Sequence, residues 1–149
     1  MAQPFTLQPL LDLSHRNSES ATRKLGELTR AQNSEQKKLE TLLQFRKDYQ
    51  EKFLAQSRNG MDSAGISNFQ RFLGRLDEAV QQQRGVIEQA TRSVQAGREA
   101  LVEAQRSMKS FDTLAQRHAE TQQLQIRRME QKMQDEQAGQ FAARNTSNE

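Results

Sequence analysis

An all-α fold, a long two-helix antiparallel coiled coil or α-helical hairpin, is predicted by three features of this sequence. The first is a seven-residue period kept from Phe69 to Met133. Every seventh residue from Leu73 gives Leu73, Val80, Ile87, Val94, Leu101, Met108, Ala115, Gln122 and Met129. The same step from Phe69 gives Phe69, Leu76, Gln83, Ala90, Gly97, Ala104, Phe111, His118 and Gln125. The rows interleave at steps of three and four, so the first is a and the second d of a heptad. A helix with so narrow an apolar seam needs a partner helix along most of its length. The second feature is composition: the 149 residues are 34% hydrophobic and 5% aromatic, too lean for a thick core. A rod needs only about two apolar positions in seven. The third is another periodic stretch upstream, separated from the first by turn-forming residues. Low hydrophobicity also suits disorder, but disordered chains rarely keep a seven-residue period this long.

Residues 1–8 read as an irregular leader, and Pro9 suits the first turn of a helix, where its missing N–H is not needed. The spacing predicts helix 1 over about 9–57. With Leu11, Leu25, Leu39 and Phe53 at a, the d positions include Leu7, Ala21, Leu28, Leu42 and Tyr49. The same register puts Ser18, Gln32 and Arg46 at a and Ser14 and Glu35 at d, a broken seam that would pair weakly with its own copy. A loop is predicted over 58–66, where Asn59-Gly60 and Gly65 favour a turn. Its flanks lack the period-two alternation of a β-hairpin. Ser67 with Gln70 has the form of a capping box, so helix 2 is predicted over 67–138, with a flexible tail over 139–149. The whole of 1–149 reads as a single coiled-coil domain.

Folded about the loop, Leu42 faces Gln83, Leu39 faces the region of Ile87, Leu28 lies near Gly97, and Leu11 lies near Phe111 to Leu114. Helix 1 is then used up before helix 2 ends, leaving an overhang of roughly twenty residues, or some 30 Å. The overhang carries Leu124, Ile126, Met129 and Met133, with Arg127, Arg128 and Lys132 between them. It is either a frayed end or a segment awaiting a protein socket. Near the loop, Phe45, Phe72 and Ala79 occupy g positions, where charge pairs are usual. The register sets Phe45 beside Ala79 and Lys52 beside Phe72. This edge is either an apolar docking strip or a local thickening of the core.

The net charge of +3 comes from 22 basic and 19 acidic residues mixed through both helices, a solvated surface without the basic stripe of a nucleic-acid binder. With no cysteine there is no disulfide and no thiolate metal site, which suits a reducing cytoplasm. No signal peptide and no run of about 20 apolar residues is present, so the expected place is the cytoplasm without membrane insertion. There is no phosphate-binding loop, and His15 and His118 have no metal-spaced partner; His118 is expected half-buried in the seam. Carboxylates such as Glu99 and Glu103 alternate with Arg106 as surface ion pairs do. Asn145-Thr146-Ser147 matches a glycosylation sequon without a secretory context. No catalytic residue, cofactor or metal is expected, and the chain does not read as an enzyme. Gly74, Gly85 and Gly97 each weaken a helix by about 1 kcal/mol relative to Ala. Exchange of Gly97 for Ala is therefore expected to raise the melting temperature.

The length, the start Met1-Ala-Gln, the segment Leu42-Leu-Gln-Phe-Arg-Lys-Asp-Tyr49, the Asn59-Gly60 loop and Phe69-Gln-Arg-Phe-Leu-Gly-Arg-Leu-Asp-Glu-Ala79 together resemble the flagellar FliJ proteins. The basic, Met-containing Arg127-Arg-Met-Glu-Gln-Lys-Met-Gln-Asp-Glu136 is similar to that family's C-terminal end. The resemblance implies a coiled coil like the stalk subunit of rotary ATPases. It implies a terminal end seated in the hexameric flagellar export ATPase, activating it, and another end touching the export gate's large membrane subunit, with export chaperones as further partners. The site at the base of the flagellum is the cytoplasmic side of the inner membrane. Gate contact is thereby carried over to Leu42, Phe45, Tyr49, Phe72, Leu76, Ala79 and Gln83. The ring-binding expectation falls on Leu124, Ile126, Arg127, Arg128, Met129, Lys132 and Met133. The sequence departs from the family's usual residues at Lys38, Phe45 and Gln83, which bears on the polar part of the gate contact. The alternatives are the equivalent stalk of a virulence secretion system and a generic, self-associating coiled coil.

Overall fold

A computed structural model describes residues 3–148. Met1 and Ala2 of the start motif, and Glu149 of the expected tail, lie outside the described residues. Two helices account for the fold, α1 over Gln8–Arg58 (51 residues) and α2 over Ser63–Thr146 (84 residues), and no strand occurs among the described residues. No helix among them is long and apolar enough to cross a membrane.

The ends of the helices have local causes. At the start of α1 the Gln8 N–H donates to Phe5 O at 3.1 Å and the Leu11 N–H to Leu7 O at 2.9 Å. Pro9 thus falls in the first turn, where a missing N–H is tolerated. Arg58 lies in the last turn, where its charge suits the negative end of the helix. Gly60 then takes φ 87°, the left-handed conformation in which a helix commonly stops.

The start of α2 differs from the sequence reading. Asp62 Oδ1 accepts the Gly65 N–H at 2.8 Å, and Asp62 O accepts the Ile66 N–H at 3.1 Å. Asp62 therefore caps the helix. Ser67 and Gln70 lie inside α2 rather than at its N-terminus, and the connection shortens from 58–66 to 59–62. The other end differs too. Gly139 is interior, because one glycine costs a helix only about 1 kcal/mol, and α2 runs on past residue 138 to Thr146. There the Thr146 hydroxyl meets Ala143 O at 2.9 Å and the Ser147 N–H donates to Ala143 O at 3.2 Å.

The chain divides into two compact units, Glu19–Glu103 and Met1–Ser18 with Ala104–Glu149. In the first, the two helices run antiparallel on either side of the turn. Arg46 pairs with Asp77, Gln32 donates to Thr91 Oγ1 at 3.1 Å, and Gln83 reaches Glu35. Its core is Leu39, Leu76, Val80 and Val94. In the second unit, His15 Nε2 lies 2.9 Å from Asp112 Oδ1, and His118 Nε2 lies 2.9 Å from Gln3 O with its ring 5.5 Å from that of Phe5. Leu11, Ser14 and Ser18 are buried there, and Ser14 Oγ donates to Leu11 O at 2.7 Å.

The heptad register accounts for burial almost residue by residue. Every a and d position from Leu7, just before α1, to Phe53, and from Phe69 to Gln122 in α2, is buried or half-buried. The polar seam positions Ser14, Ser18, Gln32, Glu35 and Arg46 obey it as strictly as the leucines. Gly97 has a role that composition did not suggest. It is buried at d, and a Cβ there would come within 2.9 Å of Leu28 Cδ1 and 3.4 Å of Leu25 Cδ1. The glycine lets the two helices approach, so the propensity gain expected of an alanine is opposed by displacement of Leu28.

Candidate interaction surfaces

In the unit spanning Glu19–Glu103, five rings from the two helices form one chain of contacts beside the turn. Tyr49 lies 4.2 Å from Phe69 and 4.5 Å from Phe72, centroid to centroid. Phe53 lies 4.6 Å from Phe69, and Phe45 meets Phe72 edge-on at 6.2 Å. Heptad geometry explains the grouping: Tyr49 and Phe69 are d residues and Phe53 is an a residue of facing seams, while Phe45 and Phe72 sit at g on a shared edge. Tyr49, Phe53, Phe69 and Leu73, with Gln50 and Gln70, line a small cleft of about 30 Å³.

The seven residues expected at the gate are not equivalent. Leu76 is buried, while Leu42, Tyr49, Phe72, Ala79 and Gln83 are half-buried. Phe45 is 50% exposed, so an aromatic ring stands in water at the rim of the cluster. Phe45 makes its ring contacts with Tyr49 and Phe72, and the Phe72 ring also meets that of Tyr49. Leu42, Gln83 and Lys38 line one shallow hollow, in agreement with the pairing of Leu42 and Gln83.

Gln83 faces inward rather than outward. Its amide donates to Glu35 O at 2.9 Å and to Glu35 Oε2 at 2.6 Å, and Lys38 Nζ lies 3.1 Å from Glu35 Oε1. The hydrogen bond from Gln83, then that from Lys38, holds the Glu35 carboxyl below its ordinary range; desolvation opposes them, and the charge of Lys38 adds to them. The sequence reading left out Phe53 and Phe69 as members of the aromatic group, although their seam positions beside Tyr49 were the available signal.

In the other unit, α2 changes character after Gln122, the last half-buried residue. From residue 123 to 148 every position is exposed to solvent. Leu124 is 48%, Ile126 41%, Met129 64% and Met133 59% exposed, and Arg127, Arg128 and Lys132 are exposed with them. Phe141 also lies in this stretch, exposed, in a segment the sequence reading assigned to a flexible tail. Ile126, Met129 and Met133 continue the steps of three and four: Met129 stays on the a row seven residues after Gln122, but Ile126 and Met133 fall at e, one position past the d row of the seam. The exchange of d for e turns the stripe around the helix relative to the upstream seam.

Among the described residues no group of three or more His, Asp or Glu side chains could hold a metal ion. The surfaces are suited to contact with other macromolecules: one presents rings held by packing, the other an apolar stripe with guanidinium and ammonium groups beside it.

Comparison with known proteins matches the sequence to a family. The profile of the family described as Flagellar FliJ protein matches residues 3–147. The chain is 30% identical to the Flagellar FliJ protein of Salmonella typhi over 144 residues, 97% of this chain and 98% of that one. It is 28% identical to the Flagellar FliJ protein of Escherichia coli strain K12 over the same length, with the same coverage. The chain therefore belongs to the flagellar FliJ protein family.

Proposed function

We propose that this chain is the stalk of the flagellar export ATPase, binding and activating the ATPase ring and linking it to the export gate. Membership of the FliJ family makes it a component of flagellar protein export. Activation, gate contact and an escort role toward export chaperones are the finer reading. It works on the cytoplasmic side of the inner membrane at the flagellar base and carries out no chemistry of its own.

The observation that supports it most is the uncovered stripe of α2. Ile126, Met129 and Met133, at steps of three and four, leave a large share of their apolar surface in water on a helix whose upstream seam is covered, and Leu124 does so on the opposite side. Burial of such side chains contributes about 25 cal/mol per Å², so a socket of matching shape would bind them. Arg127, Arg128 and Lys132 beside the stripe would meet acidic groups of the ring. The gate is assigned to the aromatic edge, with Phe45, Tyr49, Phe72 and Ala79 as the contacting side chains, Leu42 and Leu76 as their support, and Gln83 as a positioning residue that orders Glu35.

The test is removal of residues 124–149. The shortened chain should remain helical by circular dichroism and lose its stimulation of the cognate ATPase. Undiminished stimulation would remove the ring-binding stripe from the proposal.

A further inference from the structure

Asn59-Gly60 serves the fold as a turn, but it also has a chemistry that the export reading does not use. We infer that Asn59 is a self-reacting modification site, converting in water to aspartate and isoaspartate. The Gly60 backbone nitrogen attacks Cγ of Asn59, its proton is lost, and the side-chain nitrogen leaves as ammonia, giving a five-membered succinimide. Water then opens the ring. Cleavage of the bond from Cγ to nitrogen leaves Asp at 59. Cleavage of the bond from the main-chain carbonyl carbon to that nitrogen leaves an isoaspartyl linkage. No oxidant or enzyme is needed.

Geometry singles out this asparagine among the six of the chain. Asn17, Asn33, Asn68 and Asn145 lie inside helices, where the following N–H is committed to a carbonyl one turn back and the following residue carries a side chain. Asn59 is exposed in the turn, and its side chain makes no hydrogen bond among the described residues. The Gly60 N–H donates to Ser57 O at 3.3 Å, longer than the usual 2.9–3.0 Å. Gly60 has no side chain to shield its nitrogen, and a Cβ built there would meet nothing within 4 Å. Asn148 is the remaining non-helical case, but Glu149 follows it and carries a side chain.

The product places a carboxylate just beyond the last turn of α1, at the negative end of the helix and next to Arg58. The isoaspartyl form also lengthens the main chain by one atom in a four-residue connection. An aged population would therefore separate into charge forms that differ at the turn.

The experiment incubates the full chain at pH 8 and 37 °C, with peptide mass mapping over time and ion-exchange separation. The expected result is a gain of one mass unit at the Asn59 peptide, ahead of the other asparagine peptides, with an acidic form growing in parallel. Asn59→Gln, whose longer side chain disfavours the five-membered ring, should remove both. Urea-unfolded chain serves as the reference rate. If Asn59 reacts in urea but stays unmodified in the folded chain, the turn protects it and the inference fails. If the helical asparagines react as fast as Asn59 in the folded chain, the selectivity claimed for the turn fails.

Discussion

The Gln83 side chain donates to both the main-chain carbonyl and the carboxylate of Glu35, at 2.9 and 2.6 Å, so two facing seam positions satisfy each other across the helix pair. Glu35 is held below the ordinary carboxylate range by this amide first and by Lys38 second. A carboxylate with a depressed folded-state pKa stabilises the fold above its unfolded value, and the contribution is lost as pH falls through the folded one. We expect Glu35→Gln to lower the melting temperature at neutral pH and the gap from the wild type to close as pH falls below the carboxylate range. Thermal melts from pH 7 to pH 3 measure it. A gap constant across the series would show that the ionised form of Glu35 contributes nothing.

Removing one partner of a seam pair leaves the other unsatisfied, whereas replacing both with apolar groups need not destabilise. Gln83→Leu alone should therefore lower stability toward urea. Adding Glu35→Leu should recover most of the loss and pack like the Leu76 layer nearby. A double-mutant cycle in urea reads the coupling. If the two losses simply add, the pair does not act as a unit.

The glycines of α2 divide by what surrounds them. Around Gly74 and Gly85 an added Cβ meets nothing within 4 Å, so alanine should stabilise each by about 1 kcal/mol through helix propensity alone. At Gly97 the methyl must displace Leu28 Cδ1 from 2.9 Å. Gly97→Ala should gain less than Gly85→Ala or lose stability outright, and urea melts of the variants rank them. Equal gains at both positions would show that Leu28 moves aside freely.

Asp62 is the acceptor for the first turn of α2. Asp62→Ala should cost about 1 kcal/mol, the usual worth of an N-cap, and Ser67→Ala much less, since Ser67 lies within the helix. Urea unfolding of the two variants compares them directly. A larger loss at Ser67 would restore the later start expected from the capping-box pattern.

The seam was legible because burial in a two-helix coil depends on the heptad alone. Ser14, Gln32 and Glu35 could be placed at a or d as surely as Leu39 and Val94. The helix ends were less legible, because caps compete. Ser67-x-x-Gln70 and Asp62 both offer an acceptor before apolar residues, and only the path of the chain decides that Asp62 meets the Gly65 N–H. Gly139 looked like a stop, but a glycine ends a helix only where the chain turns left-handed, as it does at Gly60. The inward amide of Gln83 was hidden for a related reason: position d fixes a direction toward the seam but not the partner found there.

Among the residues assigned to the export gate, Phe45 is the one whose loss separates binding from folding. It is half exposed and touches the cluster at its rim, 6.2 Å from Phe72, whereas Phe72 also packs against Tyr49 at 4.5 Å. Truncating a half-exposed ring costs the fold on the order of 1 kcal/mol, but an aromatic anchor at an interface commonly carries more than a tenfold effect on affinity. Phe45→Ala should weaken binding to the cytoplasmic part of the gate protein at least about tenfold and reduce motility, while helicity and ATPase stimulation stay near the wild-type level. Leu54→Ala, at a 56% exposed leucine outside the ring cluster, should change neither. Calorimetric titration against the gate fragment, alongside circular dichroism, distinguishes the outcomes. Unchanged affinity in Phe45→Ala would free the aromatic edge of its gate role, and loss of helicity would make Phe45 a packing residue of the pair.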